Sequence, residues 1–307
     1  MTLPRRAPAL LRWAPTLAGL LLAACAEDLL PGETVLLSEL PAEVVYGAED
    51  SRFGEVLAAR DGRLAAAAPG LPGVWVEGAW SEGNGQWVGW QGDALVRVGL
   101  REAVIGELAA PELSLGARFA ATEDAVYFAT DRALRRYDGA SVEVVGIEAL
   151  AASPTRVVAL VCAEACALRA WDAELGAELA TPDLPAGEGG ALSLDDDVLC
   201  AGDPELAQSK GAGRVECEDG RAVEGIAGDH LGLSIGGGHA AGLFNKHDVP
   251  ERGRLVPLAG GEVLVVEGGA VSQPLRVAGG EGWLFVGSPF QTHAGGSAGA
   301  VFTVALP

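Results

Sequence analysis

One feature constrains this chain more than any other: a short pattern, L-x-x-(G/A)-x-P, returns at three distant places. It reads Leu64-Ala65-Ala66-Ala67-Ala68-Pro69, Leu199-Cys200-Ala201-Gly202-Asp203-Pro204 and Leu284-Phe285-Val286-Gly287-Ser288-Pro289. A polar or glycine turn precedes each copy: Asp61-Gly62-Arg63, Asp195-Asp196-Asp197 and Gly280-Glu281-Gly282. After a Gly-containing loop an apolar run follows each: Val74-Trp75-Val76, Val215-Glu216-Cys217 and Val301-Phe302-Thr303-Val304. Between 79 and 190 the pattern weakens but keeps its rhythm, as in Trp87 to Val98, Phe119 to Phe128 and Leu150 to Val161. Taking the strand after each turn as a marker gives Leu64, Leu95, Val126, Val157, Leu199, Ala240 and Leu284, at intervals of about 31 to 44 residues.

Repeats of that length are single supersecondary units that bury their faces only by stacking on neighbours. Seven of them, strand-rich and punctuated by glycine, predict an all-β, seven-bladed β-propeller of four-stranded antiparallel blades. A β-sandwich with a second domain would not require seven similar repeats. The last blade runs out of chain after Val304, while Thr34-Val35-Leu36-Leu37 is a spare apolar run. That run is expected to close the ring as an N-terminal strand beside residues 299–304.

With Phe53-Gly54 as an FG pair, Leu231-Gly232 as a weaker one, and Ala67-Ala68-Pro69 and Gly287-Ser288-Pro289 as GAP elements, the chain resembles the FG-GAP repeat of integrin-α-like propellers. The resemblance covers about half of the mature chain and is weak from about 79 to 190. It raises the question of calcium, which that family often carries in the first hairpin on three alternating acids. A hard cation needs six to eight oxygens. The hairpins here read Ala59-Arg60-Asp61-Gly62, Gln91-Gly92-Asp93 and Gly279-Gly280-Glu281-Gly282, and Arg60 would repel a cation. Asp195-Asp196-Asp197 is the richest, but neighbouring strand residues point to opposite sides. No cofactor and no metal site are expected.

The first residues are unlike the rest. Arg5, Arg6 and Arg12 precede an almost wholly apolar run from Trp13 to Ala24. At about 12 residues it is too short to span a bilayer and has the layout of a secretory signal. Leu22-Ala23-Ala24-Cys25 resembles the lipobox of bacterial lipoproteins, which implies cleavage before Cys25 and lipidation of its thiol. Ala26, rather than Asp, follows the cysteine, which implies sorting to the outer membrane. The expected organisation is a signal peptide over 1–24, a lipidated Cys25 and tether over 25–33, and a propeller over 34–307. Membrane contact is expected through the lipid. The formal net charge of −21 excludes nucleic acid as a partner.

Cys162, Cys166, Cys200 and Cys217 remain, an even number in an exported chain. Three pairings are possible. The hairpin reading favours Cys162–Cys166, which would face each other across a short turn, and Cys200–Cys217 in adjacent strands of one blade. No histidine lies among them to suggest zinc.

Catalytic motifs are absent from the sequence. There is no G-x-S-x-G, and Gly236-Gly237-Gly238 lacks the Lys and Ser/Thr of a phosphate loop. Lys246-His247-Asp248 is the most site-like polar group, and Asp229-His230 is next. Trp75, Trp80, Trp87 and Trp90 cluster early; Trp75 and Trp87 are expected to pack between blades and Trp80 to be exposed. Trp80, His247 and Asp248 are thus the candidate ligand contacts. The function expected is a non-catalytic binding or scaffolding propeller, not an enzyme, anchored by lipid at the outer membrane, with a protein or glycan as partner. Envelope assembly and action on a polysaccharide are the competing functions, because propellers host all three.

Overall fold

The computed structural model describes residues 34–69, 72–206, 211–245, 252–268, 273–280, 282–293 and 296–306. The leader, Cys25, the tether, His247 and Asp248 lie outside the described residues. Seven antiparallel sheets follow one another around a ring. From the innermost strand outward, blade 1 is Val56–Arg60, Arg63–Ala67, Pro72–Val76 and Ala79–Asn84. Blade 2 is Trp87–Gln91, Ala94–Val98, Ala103–Ile105 and Leu108–Ala109; blade 3 is Arg118–Ala121, Val126–Ala129, Ala133–Arg136 and Ser141–Glu143. Blade 4 is Ile147–Ala152, Arg156–Cys162, Cys166–Asp172 and Glu178–Leu179; blade 5 is Leu192–Asp195, Val198–Asp203, Arg214–Cys217 and Ala222–Glu224. Blade 6 is Ser234–Gly236, His239–Asn245, Arg252–Pro257 and Val263–Glu267. Blade 7 takes Arg276–Gly280, Trp283–Ser288 and Ala300–Ala305 from the end of the chain. Each of the seven markers falls on the second strand of its blade.

The core is divided among the blade junctions. Alternation along a strand sends its side chains to opposite neighbours. Leu64 and Ala66 join Phe53, Phe285 and Val301 between blades 7 and 1, while Ala65 and Ala67 join Val88 and Trp90 between blades 1 and 2. Separate buried clusters fill the junctions 2/3, 3/4, 4/5, 5/6 and 6/7. A strand wedged between two blades is apolar on both faces, and Arg63–Ala67 is buried from Leu64 onward. Outermost strands such as Ser141–Glu143 are mostly exposed.

Two pairs of glycines have a physical role at the blade junctions. Gly54 adopts φ +87° and lies against Gly287 of blade 7; a Cβ on Gly287 would fall on the Gly54 carbonyl oxygen. Gly232, at φ +104°, meets Gly202 of blade 5 in the same way. The residue before each apolar partner is also left-handed, Arg52 at φ 52° and His230 at φ 48°. Phe53 and Leu231 are both fully buried, and each forms a parallel bridge to a glycine of the preceding blade, Gly299 and Gly213. Backbones at these junctions touch where a side chain would hold them apart.

The ring closes with an N-terminal strand, as expected, but not with the expected residues. Ala42–Tyr46 is the outermost strand of blade 7, antiparallel to the last strand, with Ala42 opposite Val304 and Tyr46 opposite Ala300. Thr34–Leu36 instead adds a fifth, parallel strand to blade 6, with Thr34 opposite Val263 and Leu36 opposite Val265. Between them Leu37 turns inward and is 1% exposed in the core of junction 6/7. The closing strand must cover apolar surface on both faces: Ala42 and Val44 pack on junction 6/7, and Val45 packs on junction 7/1. Thr34 to Leu37 is more uniformly apolar, but it is used as a strap with a buried plug.

Both expected cysteine pairs are formed. Cys162 is bonded to Cys166 across the hairpin of blade 4, and Cys200 to Cys217 across the second and third strands of blade 5, each with a Cα separation of 4.0 Å.

Candidate functional site

The seven innermost strands line a central channel with a mouth at each end. Hairpin turns between first and second strands surround one end, the turn mouth, a cavity of about 690 Å³. The loops that enter each blade surround the other, the entry mouth, a cavity of about 720 Å³.

Acids dominate the turn mouth: Asp61, Glu123, Asp195, Asp196 and Asp197 line it, and Arg60 is the one basic group there among the described residues. Local backbone geometry sets their directions. Asp61-Gly62 and Asp196-Asp197 are two-residue turns with both φ angles positive, at 49° and 73° and at 49° and 61°. Such turns match the twist of a tight hairpin. Asp197 is then occupied by the neighbouring blade, accepting hydrogen bonds from Ser153 Oγ at 2.6 Å, Thr155 Oγ1 at 2.9 Å and Arg156 Nε at 3.2 Å. Desolvation opposes its charge, but these donors and the Arg156 charge hold its pKa below the ordinary range. Asp195 accepts from Ser193 Oγ at 3.0 Å, within its own strand. Arg60 reaches both Asp61 at 3.2 Å and Glu123 of blade 3 at 3.5 Å. Among the described residues no group of three or more His, Cys, Asp or Glu is placed to hold a metal ion.

Chemistry at the entry mouth is different. Arg118 begins the innermost strand of blade 3 and Arg276 that of blade 7. Arg118 donates to the carbonyls of Glu148 at 2.5 Å and Ala117 at 3.0 Å. Arg276 donates to the carbonyls of Glu55 at 3.3 Å and Leu233 at 3.4 Å. Among the described residues neither guanidinium has a carboxylate within ion-pair distance, whereas ten other arginines do. Burial lowers the pKa of Arg276; the nearby Glu55 charge opposes that shift and Arg52 adds to it. Two carboxylates share the mouth. Glu148 accepts from the Gly189 amide at 3.1 Å, and Glu55 pairs with Arg52 at 2.6 Å while its other oxygen is buried without a hydrogen bond. Trp87 and Phe119 stack beside Arg118, with ring centroids 5.0 Å apart and planes at 29°.

Trp80 is 54% exposed on the outermost strand of blade 1, across from the buried Trp75, and its ring lies 5.1 Å from Phe53. It lines neither mouth. The Asp229-His230 pair separates. Asp229 is buried and accepts from Arg254 at 2.8 Å, Asn245 at 3.1 Å and the Ile226 amide at 3.0 Å, while His230 turns outward to Glu205 at 2.9 Å. Burial raises the Asp229 pKa against the pull of Arg254. This network fixes the loop into blade 6. Sequence reasoning did not single out Arg118 or Arg276; it placed Trp87 between blades, where its ring packs on junction 2/3, but not at the channel that the same ring also lines. Aligning the repeats on their markers would have singled out all three, since Trp87, Arg118 and Arg276 each lie eight residues before Leu95, Val126 and Leu284.

No protein-family model and no curated protein sequence match the chain. Several solved structures align with the chain. TolB from Acinetobacter baumannii aligns with a TM-score of 0.42 at 10% identity, over 69% of this chain and 60% of TolB. The N-terminal domain of Nup159 aligns with a TM-score of 0.39 at 9% identity, over 90% of this chain and 100% of that domain. A chain of the S. cerevisiae complex of Dbp5 bound to Nup159 and Gle1 aligns with a TM-score of 0.41 at 11% identity, over 91% of this chain and 98% of that chain.

Proposed function

We propose that the protein is a non-catalytic binding or scaffolding propeller, held by lipid on Cys25 at the outer membrane, which receives a protein or glycan partner at its entry mouth. The observation that carries this reading is the mixed character of that mouth: stacked aromatics beside two arginines that make no direct ion pair, in a cavity of about 720 Å³. Concave sites with an apolar floor and a few directed polar groups are where ligands bind. The direction of the first strand adds to it. Thr34 begins beside Val263, which follows the turn at Leu258, and the Leu258 amide bonds Gly238 at the turn mouth. The tether from Cys25 therefore joins the propeller at the turn-mouth end, which favours that end facing the membrane and the entry mouth facing away. Kinship with FG-GAP propellers belongs to the same proposal, supported by the paired glycines of junctions 7/1 and 5/6.

Photo-crosslinkers placed on Ser114→Cys at the entry mouth and Glu123→Cys at the turn mouth, in membranes carrying the native chain, test the reading. Adducts from Ser114→Cys are expected. Adducts from Glu123→Cys alone would move the site to the other mouth, and turnover of an envelope polysaccharide by purified protein would refute the non-catalytic role.

A further inference from the structure

We infer that the entry mouth recognises a carboxylate carried on an apolar body, with Arg118 and Arg276 as the cationic groups that line it. This rests on the reading of that mouth as the binding site. A guanidinium carries five N–H donors in a planar fork. Arg276 uses its own in two long carbonyl contacts, at 3.3 and 3.4 Å, and Arg118 uses two to its own rim. In a chain with 42 acidic and 21 basic residues, carboxylates are in surplus, so an arginine that faces a cavity without a direct ion pair is against expectation. Arg101, Arg132 and Arg135 also have no carboxylate in ion-pair range among the described residues, but they are exposed on the outer surface and line neither mouth.

The other groups at the mouth select the class of anion. Glu55 and Glu148 oppose the two arginines, so the local charge is near balance and the whole chain is at −21. A dianion such as phosphate would be repelled by both glutamates. A singly charged planar carboxylate meets the guanidinium fork in two parallel hydrogen bonds and adds the least repulsion. Trp87, Phe119, Leu192 and Leu233 line the same cavity and offer the apolar surface for what carries the carboxylate. The carboxylate could belong to a free small acid or to the C-terminus of a partner chain that ends in an apolar residue.

Calorimetry on the intact protein separates these sources. Four probes are used: 3-phenylpropionate and its amide, and N-acetyl-Ala-Ala-Phe with a free or an amidated C-terminus, with inorganic phosphate as comparator. The acids are expected to bind about tenfold or more tightly than their amides, the value of one charge-assisted hydrogen bond. A peptide acid that outbinds the small acid points to a partner's C-terminus; equal affinity points to a free acid. Arg118→Gln, at an exposed position, should erase the preference, and Arg118→Lys should restore part of it. Arg276→Gln should do the same if folded, and Arg118→Gln decides the matter if it is not. Equal binding of acids and amides, or tighter binding of phosphate, overturns the inference. No binding of any probe while Ser114→Cys still crosslinks overturns it and leaves the binding role standing; loss of both results overturns both.

Discussion

Small residues decide where two blades can touch. Gly287 has no positive φ to protect, so its requirement is steric alone: the Gly54 carbonyl occupies the space of its Cβ. Gly287→Ala should therefore force blades 7 and 1 apart and cost about 2 kcal/mol, in the range of overpacked cores. Gly139 is the control, since its φ is +110° and nothing lies within 4 Å of a Cβ there. Alanine at Gly139 should cost about 1 kcal/mol through backbone conformation alone. Urea unfolding of both variants measures the difference, and a larger loss at Gly139 would remove the steric account. The repeated glycines and prolines were legible in the sequence because both mark a backbone directly. Their pairing between blades was not, because it joins residues as far apart as Gly54 and Gly287.

Pairs of elements are fastened by arginines at the start of second strands. Arg63 bonds Glu77 of its own blade and Asp93 of the next, and lies 4.1 Å from the centre of the Trp90 ring. Arg156 reaches across junction 4/5 to Asp197 and, through both terminal nitrogens, to Glu218 at 2.9 and 2.5 Å. The Arg156 hydrogen bonds hold the Glu218 carboxyl below its ordinary pKa; desolvation opposes them, and the Leu199 amide and the Arg156 charge assist. A carboxyl with a depressed folded pKa stabilises the fold above its unfolded value, about 4.3, and loses that contribution as the pH falls through the folded value. Glu218→Gln should thus cost about 1–2 kcal/mol at pH 7. The gap from wild type should close progressively from about pH 5 to pH 3. Thermal unfolding across that range checks it, and a gap that widens toward acid would exclude the mechanism. Asp195-Asp196-Asp197 shows how far such contacts could be read beforehand. The sequence identified a turn rich in acids and the poor convergence of three in a row. Its tie to Ser153, Thr155 and Arg156 depended on knowing that blades 4 and 5 are neighbours with their turns level. The entry mouth was illegible for the same reason, since Arg118 of blade 3 and Arg276 of blade 7 line one cavity only in the closed ring.

Closure is the property of the whole molecule, and the N-terminal segment supplies it twice. Thr34–Leu36 extends blade 6 and Ala42–Tyr46 completes blade 7, so one short segment spans junction 6/7. The two strands are not equivalent. Ala42–Tyr46 supplies five paired residues and covers the last strand, which would otherwise be an exposed edge open to association. Thr34–Leu36 supplies three paired residues outside a blade that already has four strands. The apolar run at 34–37 drew the sequence reading because continuous hydrophobicity looks like a buried strand. The structure uses the less uniform Ala-Glu-Val-Val-Tyr instead, because an outer strand needs apolar groups toward two junctions and polar ones at its rim. Val44→Asp places a charge against Phe302 and Val304 in junction 6/7 and should lower the unfolding midpoint by about 8 °C or more, from a loss of about 3 kcal/mol. It should also promote association through the freed edge. Thr34→Pro disturbs only the first pairing of the fifth strand and should shift the midpoint by about 3 °C or less. Calorimetry with light scattering on both variants decides the point. Equal shifts, or association of Thr34→Pro alone, would mean that the ring is held by the strap on blade 6 and not by the strand that completes blade 7.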